Sequence, residues 1–103
     1  FPRGAATLYA RYARAPEIDG LSIDSAVERA WAKAELQPHC AVQGNPDPIS
    51  LLAGGDQLRD QSEANLSSFA GDPFIFNLGH GILPETPPDN VARLIDIVRG
   101  WNC

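Results

Sequence analysis

Apolar positions recur along the chain with two alternating periods. From Ala5 to Ala13 they fall at helical spacing, with Leu8 and Tyr12 four apart on one face, and Pro16 closes the segment. Ile18 to Ile23 is a short apolar run that contains Gly20 and reads as a strand ending at Asp24. Ser25 and Glu28 then have capping-box spacing, in which a hydroxyl takes one orphan N–H and a carboxylate reaches back to another. The helix they open carries Val27, Ala30, Trp31 and Ala34 on one stripe, and Pro38 stops it. Ala41 to Gln43 reads as a short strand, followed by the loop Gly44-Asn45-Pro46-Asp47-Pro48. Ile49 to Ala53 is a single helical turn, and Gly54-Gly55-Asp56 opens a longer helix with Leu58, Leu66 and Phe69 apolar. Phe74-Ile75-Phe76 is a strand bounded by Gly71 and Pro73, and a loop runs from Gly79 to Pro84. Thr86 and Asp89 repeat the capping-box spacing, with Pro87 and Pro88 in the first turn, where a missing N–H costs nothing. Val91, Leu94, Ile95 and Val98 complete the i, i+3, i+4, i+7 stripe of an amphipathic helix.

The predicted order is therefore a helix followed by three strand–helix units, with no internal repeat or linker. Apolar strands alternating with helices imply an α/β fold with a parallel sheet and right-handed crossovers. Three parallel strands with helices on one side would leave a sheet face open, whereas parallel sheets are normally covered on both. A segment of a (β/α)8 barrel resolves this, because the inner face of a closed barrel packs on itself. A doubly wound sheet stays open as the alternative, since three units do not exclude it.

Composition narrows the picture. The 103 residues are 44% hydrophobic and 20% charged, an ordinary globular balance and enough for one small domain. The net charge of -5 argues against nucleic acid and against a polybasic membrane surface. No run approaches the roughly 20 apolar residues of a membrane span. The chain starts at Phe1 and has no Met, so it is expected to be a piece of a longer one. Cys40 and Cys103 form neither a disulfide framework nor a metal set, which favours a reducing compartment.

In parallel α/β folds function collects at the C-terminal ends of the strands. That rule selects Asp24 after the first strand, Gln43, Asn45 and Asp47 after the second, and Asn77 and His80 after the third. His39 and Cys40 precede a strand and fall on the structural side, and no second ligand pair exists to make a zinc site. His80 stands between Gly79 and Gly81, where the backbone can approach a ligand closely or take positive φ. An imidazole there can bind a carboxylate or move a proton; it can equally cap a neighbouring element. Phosphate binding by the same loop is a weaker reading, because Ile82 to Pro87 separate it from the next helix. Asp24 is either a helix-start residue or a catalytic one. Asn45-Pro46-Asp47-Pro48 is turn chemistry first and a ligand contact second. Most arginines read as solvated surface; Arg3, between Pro2 and Gly4, lies outside any helical pattern. There is no P-loop, dinucleotide fingerprint or nucleophile elbow.

Three stretches carry a resemblance. Phe74-Ile75-Phe76-Asn77-Leu78-Gly79-His80-Gly81-Ile82-Leu83-Pro84-Glu85-Thr86-Pro87-Pro88 resembles the C-terminal signature of the uroporphyrinogen decarboxylase family. Val42-Gln43-Gly44-Asn45-Pro46-Asp47-Pro48 resembles a second loop of that family, which has Leu where Pro46 stands, and Phe1-Pro2-Arg3-Gly4-Ala5 resembles a third, in bacterial members. The resemblance implies that residues 1–103 are the C-terminal part of a (β/α)8 TIM barrel whose N-terminal part is absent. It implies a cytoplasmic homodimer without cofactor or metal, acting on uroporphyrinogen III and converting its four acetates to methyls to give coproporphyrinogen III. His80 is implied to hydrogen-bond the substrate carboxylates; the family's aspartate, arginines and tyrosine belong to parts not present, so the segment alone is expected to be inactive. The alternatives are a corrinoid or coenzyme M methyltransferase of the same superfamily, which would carry a zinc-binding cysteine at the position of His80, and a non-catalytic barrel fragment.

Overall fold

The computed structural model describes residues 4–101, so expectations for Phe1, Pro2, Arg3 and Cys103 lie outside the described residues. Strands β1 (Gly20–Ser22), β2 (Ala41–Gln43) and β3 (Phe74–Ile75) form a parallel sheet in the order β1-β2-β3. Register aligns Leu21 with Val42 and Val42 with Phe74, and, one residue on, Ser22 with Gln43 and Gln43 with Ile75. Because successive side chains point to opposite faces, these two rows face opposite ways. Leu21 and Val42 join one core with Tyr9 and Ala13 of α1 (Tyr9–Ala13), Ala32 of α2 (Arg29–Glu35) and Phe69 of α4 (Gly55–Phe69). Phe74 packs against that core and stacks on Phe69, ring centroids 5.1 Å apart. On the other face Ile75 is 55% exposed. Helices from before β1 and from both strand-to-strand crossovers thus cover one face of the sheet.

α1 is shorter than its pattern, preceded by a 3-10 turn at Ala6–Leu8. Its buried pair is Tyr9 and Ala13, while Leu8 and Tyr12, the predicted pair, are 52% and 46% exposed. The frame is set by Tyr9, whose hydroxyl bonds to Asp24 across the end of β1. Likewise α2 buries Ala32, with Leu36 just beyond it, and leaves Ala30 and Ala34 exposed. On α5 (Pro88–Arg99) Val91, Leu94 and Val98 are half-buried as the stripe predicts, but Ile95 is exposed.

Neither capping box forms. α2 begins only at Arg29, and Glu28, its N-cap, makes no side-chain cap bond. The chain first turns through residues 24–27, with Ala26 N donating to Asp24 Oδ1 at 2.9 Å and Val27 N to Asp24 O at 3.3 Å. Asp24 therefore caps that turn, and the Ser25 hydroxyl is buried without a partner among the described residues. Before α5 the Thr86 hydroxyl is similarly unpartnered, and Pro87 is the N-cap. The side-chain cap that does form is on α3 (Pro48–Ala53): Asp47 Oδ1 accepts from Ile49 N at 3.0 Å with Pro48 at the first position. α5 is tied to the end of α3 by Asn90 Nδ2, which donates to Leu51 O at 2.9 Å.

Arg14 and Arg59 make exposed ion pairs with Glu35 and with Asp56, Asp60 and Glu63, as a solvated surface would. Cys40 is buried in the core, where burial raises its pKa, and its Sγ approaches Leu36 O at 3.8 Å. His39 is exposed and its Nε2 accepts from Arg14 Nε at 3.4 Å. Among the described residues no three His, Cys, Asp or Glu side chains cluster as metal ligands, and no helix is long and apolar enough to cross a membrane.

Candidate functional site

The loops leaving the C-terminal ends of the three strands meet around His80. On one side a cleft of about 370 Å³ is lined by Gly4, Asp24, Ser25, Ala26, Asp47 and His80. On the other a cleft of about 330 Å³ is lined by Ser22, Gln43 and the loop Asn77 to Ile82. Half-buried His80 lines both. The structure thus brings together Asp24, Gln43, Asp47, Asn77 and His80, residues that sequence reasoning selected from three separate loops. Asn45, the sixth, lines neither cleft and is buried at 4% exposure.

Gly79 is packed for a reason internal to the protein. Its N–H donates to Pro46 O at 2.9 Å, joining the third loop to the second. A Cβ on it would collide with the backbone N and side-chain Oγ of Ser25 in the first loop and lie 2.9 Å from its Cα. Gly81 has nothing within 4 Å of a would-be Cβ. Neither takes positive φ, so only close approach explains a glycine, and only at Gly79. Pro46, where the family resemblance has Leu, contributes its carbonyl to this contact, a group that proline keeps.

Asn45 is the hub below. Its Nδ2 donates to Asp24 O at 2.9 Å and Val27 O at 2.8 Å, holding the β1 turn. The amide of Asn65 on α4 in turn grips the Gly44–Asn45 unit. Oriented to satisfy both backbone groups, it donates to Gly44 O at 2.9 Å and accepts from Asn45 N at 3.0 Å. Sequence reasoning missed Asn65, yet a signal existed: it is a polar residue on the apolar face formed by Leu58, Leu66 and Phe69.

Tyr9 was missed as well. Its hydroxyl donates to Asp24 Oδ2 at 2.9 Å and accepts from Asp24 N at 3.3 Å, while Gly4 N donates to the same Oδ2 at 2.6 Å. The phenol pKa is pushed up to about 12, first by burial and second by the bond to Asp24. A raised pKa means that the unfolded chain loses this proton first. The contribution to stability is whole below pH 10 and is lost as pH rises through about 12. Urea denaturation should show a loss on the order of 2 kcal/mol across that window. The Tyr9→Phe protein should lack this component of the alkaline decline; identical pH profiles would remove Tyr9 as its source.

The three stretches that carry the resemblance, Gly4-Ala5 at the edge of the described residues, Val42 to Pro48 and Phe74 to Pro88, therefore converge on one end of the sheet. The sequence model of the family described as Uroporphyrinogen decarboxylase (URO-D) matches residues 1–101. The chain belongs to the uroporphyrinogen decarboxylase family. Curated relatives named uroporphyrinogen decarboxylase include one from Rhodospirillum rubrum, 52% identical over 99 residues, covering 96% of this chain and 28% of the relative. One from Paracoccus denitrificans is 46% identical over 100 residues, covering 97% of this chain and 29% of the relative. One from Novosphingobium aromaticivorans is 44% identical over 102 residues, covering 99% of this chain and 30% of the relative. The chain thus spans about three-tenths of the length of these uroporphyrinogen decarboxylases.

Proposed function

We propose that this chain forms the last three βα units of a uroporphyrinogen decarboxylase barrel and supplies one wall of its substrate pocket. The enzyme built with it removes carbon dioxide from the four acetate side chains of uroporphyrinogen III, giving coproporphyrinogen III. Consecutive parallel strand order and helices on one sheet face support the barrel, because the uncovered row of Ser22, Gln43 and Ile75 then becomes interior. His80, shared by both clefts, is the observation that carries the substrate-binding assignment. Its role is to hydrogen-bond a substrate carboxylate, while the protonated pyrrole of the substrate serves as the electron sink, so the reaction calls for no metal or cofactor. With Asp24 and Asp47 beside it, this wall offers a polyanion little positive charge, and the neutralising arginines come from the rest of the barrel. Homodimerisation and a cytoplasmic location are part of the same reading. The methyltransferase alternative gains nothing here: its cysteine position holds His80, and Cys40 lies in the core just before β2.

The test is an exchange enzyme, the Rhodospirillum rubrum relative with its matched segment replaced by this chain. It should convert uroporphyrinogen III to coproporphyrinogen III by pigment chromatography; acetates left intact would refute the reading. In that enzyme His80→Asn should lower kcat/KM by roughly 10- to 100-fold, the range of a lost charge-assisted hydrogen bond. Unchanged kinetics would make His80 a structural loop residue.

A further inference from the structure

Asp24 lines the same cleft as His80 and Asp47. Left to rotate there, a carboxylate would present its charge to any anionic ligand. Instead Oδ2 accepts from Gly4 N at 2.6 Å and from the Tyr9 hydroxyl at 2.9 Å, and Oδ1 accepts from Ala26 N at 2.9 Å. The Tyr9 oxygen also accepts from Asp24 N at 3.3 Å, so one phenol engages both the side chain and the backbone of one residue. That double contact fixes the rotamer of Asp24. Tyr9 is fully buried and lines neither His80 cleft. Gly4, whose φ is +76° and whose would-be Cβ meets nothing within 4 Å, is a glycine for its backbone conformation, and its N–H is spent on Asp24.

We propose that Tyr9 is a positioning residue for substrate binding: by clamping Asp24 it pins the Gly4 turn to the rim of the His80 cleft and turns the carboxylate away from a polycarboxylate substrate. The substrate class rests on the function proposed above; the clamp itself does not. Loss of the hydroxyl removes one donor to Oδ2 and the acceptor for Asp24 N, which loosens the carboxylate without changing any group that touches substrate. Its effect should therefore fall on binding more than on turnover.

In the exchange enzyme, Tyr9→Phe should raise KM for uroporphyrinogen III about 3- to 10-fold with kcat within about twofold. Added salt should recover part of the loss, since the new term is charge repulsion. Amide hydrogen exchange at Gly4 and Ala26 should quicken in the same variant. In the Asp24→Asn background, which carries no carboxylate charge to loosen, adding Tyr9→Phe should leave KM nearly unchanged, because the phenol acts through that charge; a full KM rise there would overturn the proposal. Asp24→Asn also carries the exchange measurement should Tyr9→Phe not fold. Unchanged KM with unchanged exchange overturns the proposal, as does a loss confined to kcat. If the exchange enzyme is inactive but Gly4 and Ala26 still lose protection, the clamp stands and the assigned reaction falls.

Discussion

Gly79→Ala is expected to destabilise the protein by roughly 1–3 kcal/mol, the range for forcing extra volume into a packed site. In the exchange enzyme it should lower kcat/KM about a hundredfold, because displacements near 1 Å at a reacting site can cost that much. The added methyl would overlap Ser25 at its backbone nitrogen as well as its hydroxyl, so no rotamer change relieves it. Relief requires the third loop to withdraw from the first. That movement breaks the bond from Gly79 N to Pro46 O and carries the adjacent His80 with it. Gly81→Ala is the control: its methyl enters open space, and both stability and turnover should stay near their starting values. A denaturation series and steady-state kinetics on the two variants decide the matter. If they behave alike, the glycines serve flexibility and the close approach to Ser25 is immaterial.

That comparison also shows what could be read from the sequence. The glycines around His80 marked the right loop, but the residue that demands one of them, Ser25, lies 54 positions earlier. Local signals were accurate where local physics decides. β2 at Ala41–Gln43 and α4 at Gly55–Phe69 lie where apolar runs and glycines place them. The strand-end rule selected five residues that do share the His80 clefts, because alternating strands and helices put those ends on one side. Local signals failed where a distant contact competes. The Ser25–Glu28 spacing is a valid cap in an isolated helix, yet Asp24 takes the turn amide first. Its own position is held by Tyr9, 15 residues upstream. The same contact rotates α1 so that Tyr9 and Ala13, rather than Leu8 and Tyr12, face the core. In both places Asp24 is the junction, since it caps the local turn and ties that turn to Tyr9.

Asn65→Ala should be the more costly change to folding, at about 3–5 kcal/mol. Asn65 is fully buried, and its amide satisfies both Gly44 O and Asn45 N. Removing it strands a buried acceptor and a buried donor, each worth roughly 1–3 kcal/mol when left unpaired, and opens a small cavity. The damage should also spread, because Asn45 holds the carbonyls of Asp24 and Val27. A Gly44–Asn45 segment freed from α4 loosens the β1 turn and with it the cleft wall that Asp24 forms. Ser62, three residues before Asn65 on the same helix, supplies the contrast. It is equally buried, but its hydroxyl has no partner among the described residues, so Ser62→Ala should be near neutral or mildly stabilising. Denaturant midpoints for the two variants test this directly. Equal losses would mean that the face of α4 tolerates no truncation of any kind. A large loss for Asn65 alone assigns the energy to its paired amide, and faster amide exchange at Ala26 and Val27 in that variant would trace the path from helix to site.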